Sequence, residues 1–269
     1  MIDLRDRRPA KPPGWDKRVQ KAHDAIATLI ARGTTPTVDD FDANCWRSCR
    51  KVLSRAQYGG KCAYCETRIG AGYPGDVEHY RPKTAVVSVV PGKRKGQFND
   101  GQETRPGYWW LAYSFENLRL SCFWCNNRKG TRFPVQGEHA RTPGAEKDER
   151  PLLLDPFASD PAGHVRFDER GDVHGETPMG EFTIYICGLD RPGLRTERER
   201  TAEDISRDLD DYEDAVVNRN ELATQQTLRR LHDACDASAR YTALARAMVK
   251  RRLGLDYSEL CSARESGLI

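Results

Sequence analysis

Residues 62–65 read CAYC and residues 122–125 read CFWC, and these two stretches decide the fold of the segment between them. Each contains two cysteines separated by two residues, which suits a tight turn; Gly59 and Gly60 precede the first pair. Two such pairs can place four sulfur ligands tetrahedrally around zinc, with no open coordination position. The sequence therefore predicts a structural zinc site, rather than four unrelated buried cysteines, with the ligands Cys62, Cys65, Cys122 and Cys125.

The overall composition is that of a globular protein. Of the 269 residues, 38% are hydrophobic and 31% charged, and no run approaches the ~18 apolar residues of a membrane helix. Residues 1–15 contain no apolar signal segment, so we expect a cytoplasmic protein without membrane attachment. In a reducing cytoplasm, closely spaced cysteines favour metal binding over disulfides. Cys45 and Cys49 lie one helical turn apart and are interpreted as small core residues, with metal ligation as the alternative.

Residue patterns predict an α+β fold with a small β core between helical extensions. Helices are predicted over 16–32 and 38–55, where apolar residues recur at helical spacing. Residues 84–107 contain Pro-Gly, Lys-Arg-Lys and Asn-Asp-Gly sequences, so they are predicted to form a loop or insertion. Leu118 and Leu120 alternate with polar residues and predict a short strand that leads into the second cysteine pair.

The second half of the chain changes character at Pro192. Before it, residues 164–169 (HVRFDE) and 181–189 (EFTIYICGL) look strand-like; after it, the chain is predicted to be helical to about Leu255. The predicted organisation is a helical N-terminal arm at 1–55, a zinc-stapled core at 56–135, a linker with a short β segment at 136–190, and a helical C-terminal region at 191–269.

A candidate catalytic cluster lies between the cysteine pairs, where residues 76–83 read DVEHYRPK. A neutral imidazole such as His79 can accept a proton from water near neutral pH, and a carboxylate such as Glu78 can bind a hard divalent cation. Adjacent strand residues point to opposite sides, so the two side chains can serve different purposes. Phosphodiester cleavage needs a base together with a cation that neutralises the phosphate. This segment offers the base and a ligand for the cation.

At these residues, and at 117–130 (NLRLSCFWCNNRKG), the sequence resembles the HNH nuclease family. That resemblance implies a ββα-metal core, in which a two-stranded hairpin packs on a helix around one divalent metal. It implies that His79 is the general base and that Glu78 and Asn126 bind the metal. It also implies that Asn117 braces the loop that orients His79.

The resemblance leaves the exact metal ligands open. The family more often has Asp before the histidine, where this chain has Glu78, so Asp76 is a rival ligand. The third motif position is Asn126 rather than His, which favours Mg²⁺ or Mn²⁺. Its neighbour Asn127 is the alternative at that position.

The segment 76–135 is net basic, although the formal charge of the whole chain is only +3. A basic face suits a polyanion such as nucleic acid, while a solvated surface is the alternative interpretation. The family resemblance places Lys129 near the substrate phosphate, and Arg81 is expected to contact phosphate as well.

A narrower resemblance runs from about Tyr58 to Arg195. Its phrases are CAYCE, VEHYRPK, YWWLAYSFENLRLSCFWCNNRKGTRFP and LLLDPFASDP. They look like the HNH component of Septu-type anti-phage systems, the PtuB-like proteins, which also occur with some retrons. This resemblance implies an antiviral endonuclease, with DNA favoured over RNA as its substrate, and an ABC-type, PtuA-like ATPase as its partner.

Two other functions remain open at this level. One is a non-catalytic zinc module that binds nucleic acid or protein, and the other is a standalone restriction-like nuclease. The acid–histidine pair and Asn126 favour catalysis, because a binding module needs no such set. Residues 150–190 have no assigned role and are the only candidate for a separate reader of modified DNA.

Overall fold

The computed structural model describes the whole chain except Ile2, Ala71 and Lys95. The described residues include many helices and short antiparallel strand pairs, which agrees with the α+β prediction. None of the described helices is both long and apolar enough to cross a membrane. In chain order the helices and strands are α1 Trp15–Ala31, α2 Ala43–Arg47, α3 Arg50–Ala56, β1 Asp76–His79, β2 Val86–Pro91, β3 Phe98–Thr104, β4 Leu118–Ser121, α4 Phe123–Lys129, β5 Val165–Phe167, β6 Val173–Gly175, α5 Pro178–Cys187, α6 Pro192–Val217, α7 Glu221–Cys235, α8 Thr242–Leu253 and α9 Tyr257–Glu265.

The hairpin of β1 and β4 carries the candidate motif. The two strands are antiparallel, with Glu78 opposite Arg119 and His79 opposite Leu118. Helix α4 follows β4 directly and packs against β1. A two-stranded hairpin is marginal alone, so it needs packing partners on both sides.

Two buried clusters enclose the hairpin. Val77, Leu118 and Leu120 pack with residues of α1–α3 in one cluster. The cysteine pairs belong to the other, which continues without a break into α5–α9. The C-terminal helices therefore share a core with the cysteine-bearing segment. A buried hydrogen bond also joins them, from Lys61 Nζ to Thr242 Oγ1 at 3.0 Å.

Two predicted elements have different boundaries. The helix predicted over 38–55 is divided into α2 and α3. Ser48 Oγ donates to the carbonyl of Cys45 and Cys49 Sγ to that of Trp46, and such local bonds compete with helical ones. Of the two alternatives predicted for 84–107, the loop is wrong and the insertion agrees with the structure, because β2 and β3 form a hairpin between β1 and β4. Its Pro-Gly sequence lies at the turn, while Val86, Val89 and Phe98 are buried.

The strand predicted over 181–189 is also wrong, because these residues lie mostly in α5. Thr177 caps the helix through a bond from the Gly180 amide, Pro178 occupies its first turn, and Gly188 ends it with a φ of 57°. The alternating Phe and Ile residues suggested a strand. The buried set is instead helical, with Phe182 and Ile186 four residues apart on the inner face. The strand at 165–167 agrees with the prediction.

Candidate functional site

The four paired cysteines come together in one buried cluster. The first pair lies in the turn after α3, and the second brackets the first turn of α4. All four sulfur atoms lie within 4.8 Å of one another, and Cys65 Sγ is 3.7 Å from Cys122 Sγ. A zinc tetrahedron with bonds of about 2.3 Å has sulfur–sulfur edges of about 3.8 Å. The donor set can therefore hold a metal ion, as the spacing predicted.

Arg191, which the sequence did not single out, lies against this cluster. Its guanidinium is 3.6 Å from the Sγ atoms of Cys125 and Cys65 and 3.9 Å from that of Cys122. Hydrogen bonds from the other three cysteines hold the pKa of Cys65 well below its usual range, and the charge of Arg191 acts in the same direction. A metal bound by four thiolates carries excess negative charge, which this cation offsets.

A second polar cluster joins β1 to α4 through two alternate strand residues and two helix residues one turn apart. Asn126 Nδ2 donates to Asp76 Oδ2 at 2.9 Å. Lys129 Nζ lies 2.5 Å from Glu78 Oε1 and donates to the backbone carbonyl of His79 at 2.8 Å. Asn126 thus pairs with Asp76, the rival ligand, while Glu78 pairs with Lys129. Asn127 is exposed.

Glu78 is the group in this cluster whose environment most suits a cation. Its carboxylate is buried, and Oε1 accepts no hydrogen bond of ordinary geometry despite the nearby ammonium. Burial raises the pKa of Glu78 and outweighs the opposing effect of Lys129. Buried carboxylate oxygens without hydrogen bonds are rare, and a cation is one way to satisfy them. Asp76, on the same strand, and Asn126, on α4, offer further oxygen atoms of the kind that Mg²⁺ or Mn²⁺ binds.

His79 lies at the end of β1 with its ring held from two sides. Its Nε2 is 2.8 Å from the carbonyl oxygen of Ala112, and the Trp46 ring meets it edge-on at a centroid distance of 4.8 Å. Burial lowers the pKa of His79 well below its usual range, and the charge of Lys83 lowers it further. The ring is therefore neutral at pH 7. Since a carbonyl only accepts, Nε2 carries the proton and Nδ1 retains its lone pair.

Asn117 fixes the backbone that follows His79. Its Oδ1 accepts from the Arg81 amide at 2.8 Å, and its Nδ2 donates to the carbonyls of Arg81 and Leu111 at 2.9 and 3.1 Å. The carbonyl of Asn117 accepts from the amide of Tyr80 at 2.8 Å. The side chain is buried and has no free donor for a ligand, so the contacts it makes are those of a brace.

The two basic residues expected at the phosphate are both engaged inside the protein. Lys129 is fully buried. Arg81 Nε donates to Glu149 Oε2 at 2.9 Å, and its side chain is 18% exposed. Lys83 was not assigned, yet its Nζ lies 4.8 Å from the centre of the Trp46 ring, close to His79, and has no ion pair among the described residues. It lies four residues after His79, and nothing in the sequence distinguishes it from Arg81.

Comparison with known proteins finds no matching family model. The chain is similar to the Septu protein PtuB of Bacillus mycoides (strain KBAB4), with 36% identity over 184 residues, which cover 65% of this chain and 59% of that relative. This chain is a PtuB homologue. The PtuB-like resemblance is thereby confirmed, and the chain spans about three-fifths of the relative's length.

The Septu protein PtuA of the same strain is also similar to this chain. The two are 31% identical over 138 residues, which cover 50% of this chain and 18% of PtuA. The similarity therefore involves a small part of PtuA.

Proposed function

We propose that this chain is a metal-dependent HNH endonuclease that acts in a Septu-type anti-phage system. The observation that carries the proposal is the 2.8 Å contact between His79 Nε2 and the Ala112 carbonyl, which implies that Nε2 carries the proton and leaves Nδ1 to accept one. That imidazole lies one residue from a buried carboxylate on a hairpin that packs on α4, the arrangement that the HNH resemblance implies. The PtuB similarity supports the defence role.

The two metal sites have different purposes in this proposal. Zinc bound by the four cysteines is structural, because four protein ligands leave no position for substrate. Mg²⁺ or Mn²⁺ would be held by Glu78 and Asn126, with Asp76, which accepts a hydrogen bond from Asn126, as the rival ligand. When bound, this second cation supplies positive charge for the phosphate and the departing oxygen.

The residues of this chain carry the remaining chemistry. Nδ1 of His79 takes a proton from water as the water oxygen bonds to phosphorus, and the bond from phosphorus to the departing sugar oxygen breaks. That oxygen receives a proton from solvent. Asn117 and the Ala112 carbonyl hold the imidazole in place, and Lys83, half-buried over the Trp46 ring and without an ion pair among the described residues, is the cation proposed to meet the phosphate. Lys129 neutralises Glu78 rather than contacting substrate.

Cleavage assays test the nuclease proposal. Full-length protein is dialysed into metal-free buffer that leaves its zinc in place, then given plasmid DNA, single-stranded DNA or RNA with Mg²⁺ or Mn²⁺. We expect nicking or cleavage that requires the added metal and is absent from the His79→Ala protein. Cleavage by the His79→Ala protein at the wild-type rate would exclude His79 as the base, and absence of metal-dependent cleavage by the wild-type protein would return the chain to the class of non-catalytic zinc modules.

We further propose a PtuA-like ATPase as the partner, supported by the similarity to two Septu proteins of one strain. The test is co-expression of the tagged full-length chain with a PtuA-like ATPase from the same genome, followed by affinity purification. Recovery of both proteins in a fixed ratio is expected. Recovery of the chain alone, with cleavage activity intact, would favour the standalone nuclease.

A further inference from the structure

Three aromatic side chains form an exposed surface beside the polar cluster. Phe123 and Trp124 are 49% and 63% exposed, with ring centres 5.4 Å apart, and Tyr73 is 37% exposed and 6.4 Å from Phe123. The geometry of the cysteine pair explains this exposure. Cys122 and Cys125 point into the cluster, so the two residues between them point out. Tyr73, Phe123 and Trp124 are called the aromatic ledge below.

The aromatic ledge is continuous with the candidate cation ligands. At one end the hydroxyl of Tyr73 donates to Asp76, which also accepts from Asn126. At the other end Trp124 forms a wall of an open cavity of about 500 Å³. Asn127, Arg128 and Asp190 also line this cavity, so it combines an aromatic wall with an amide, a guanidinium and a carboxylate.

Positive charge accompanies the aromatic ledge. Arg128 lines the cavity beside Trp124 and has no ion-pair partner among the residues that the structure describes; its Nε donates to the Tyr185 carbonyl at 3.5 Å. Stacking surfaces interleaved with unpaired cations are typical of proteins that bind single-stranded nucleic acid.

We propose that the aromatic ledge and the cavity behind Trp124 bind unpaired nucleobases next to the scissile phosphate, so that single-stranded or locally opened nucleic acid is the preferred substrate. The proposal rests on the nuclease function proposed above. Paired bases in a duplex have no exposed face to offer the ledge, whereas an unstacked base can lie on Trp124 and present its edge to Asn127 and Asp190. Three rings are also too small a surface for a stable protein interface, which takes 20–30 residues a side.

Nucleic-acid binding can be measured without cleavage. Full-length, zinc-loaded His79→Ala protein is titrated against a fluorescein-labelled 12-nucleotide single strand of mixed sequence and against the matching duplex, with fluorescence anisotropy as the readout. We expect tighter binding of the single strand. Adding Trp124→Ala should weaken single-strand binding by at least about fivefold, because stacking on an aromatic ring contributes roughly 1–3 kcal/mol per base.

Two variants control for fold and for general surface effects. Trp124→Phe keeps an aromatic face and should bind the single strand within about threefold of the parent. Leu222→Ala removes an apolar side chain that is 65% exposed on α7 and should leave binding unchanged. Equal affinity for single strand and duplex, or no effect of Trp124→Ala in a folded protein, would overturn the proposal.

These experiments distinguish a failure of the base-binding proposal from a failure of the nuclease proposal on which it rests. If the wild-type protein cuts nucleic acid while Trp124→Ala binds normally, the nuclease stands and the base site is wrong. If Trp124-dependent binding is found but no cleavage under any condition, the base site stands and the nuclease is wrong. Trp124→Ala that retains single-strand binding but fails to co-purify with the PtuA-like ATPase identifies the aromatic ledge as a protein interface instead, which also overturns the proposal.

Discussion

The cysteine cluster and the polar cluster share the short helix α4 but differ in their donors. The first is built from sulfur atoms and the second from paired oxygen and nitrogen groups. Both bury charged or ionisable groups at the junction of β1, β4 and α4. The cysteine cluster has four like donors and one cation, Arg191, beside it. The polar cluster pairs each acid with a specific helix residue, Asp76 with Asn126 and Glu78 with Lys129. Removal of one donor therefore has different consequences in the two clusters.

The largest effect is expected at the cysteine cluster, because metal binding there contributes directly to folding. Cys62→Ser or Cys125→Ser should reduce the zinc content from about one per chain to near zero and abolish cooperative thermal unfolding. Elemental analysis and a thermal melt measure both. Cys261→Ser, at a cysteine outside the cluster, is the matched control and should keep zinc and a normal melt. A zinc-free Cys62→Ser protein with normal folding would contradict the structural role.

These two clusters also differ in how much of them the sequence could predict. The four cysteines were predicted because identical spacing encodes a ligand set. The polar pairings were not, because several acids and bases near one another in sequence have many compatible partners. The burial of Lys129 depends on α4 packing against β1, and Arg191, the residue before α6, reaches the sulfur atoms from far along the sequence. The apolar alternation at 181–189 led to a wrong strand prediction, because the capping residues at both ends of α5 outweigh so short an alternation.

The next effect concerns catalysis without loss of structure. His79→Ala should lower cleavage about 10²–10⁴-fold, because a general base acts on the proton of the attacking water. Zinc content and melting temperature should be close to wild type, and added Mg²⁺ should not restore the rate. His174→Ala, at a half-exposed histidine on β6, should cut normally. An equal loss of rate in both histidine variants would point to a general effect on folding.

The proposed ligand roles of Asn126 and Asp76 can be tested by the metal concentration that cleavage requires. Asn126→Ala should lower cleavage at a fixed Mg²⁺ concentration, and excess Mg²⁺ should partly restore it because the loss is in metal binding. Asp76→Asn should behave in the same way only if Asp76 is itself a ligand. Cleavage rate measured across a Mg²⁺ titration gives both answers. A rate for Asn126→Ala that saturates at the wild-type Mg²⁺ concentration, but at a lower maximum, would contradict a ligand role for Asn126.

Stability distinguishes the Glu78–Lys129 pair from a simple surface ion pair. Lys129→Met should lower the free energy of unfolding by about 3–5 kcal/mol, because it leaves a buried carboxylate without its cation. The double variant Glu78→Gln with Lys129→Met should recover much of that loss, since no buried charge remains. Chemical denaturation at pH 7 measures both. If the double variant were less stable than Lys129→Met alone, the pair would not be the source of the loss.

The smallest effect on stability is expected from a change at Asp155. This residue pairs with Arg119, which lies opposite Glu78 in the hairpin. Burial alone would raise the pKa of Asp155, but the charge and hydrogen bonds of Arg119 hold it below the usual 3.8. A carboxyl with a lowered folded-state pKa adds stability above about pH 3.8, and that stability is lost as the pH falls through the folded-state value. Asp155→Asn should therefore melt below wild type at pH 7, and the difference should shrink near pH 3. Cleavage should be unaffected at pH 7, because this pair anchors the strand and contacts none of the candidate ligands. A melting difference that grew on acidification would show that the Arg119–Asp155 pair is not the source of the effect.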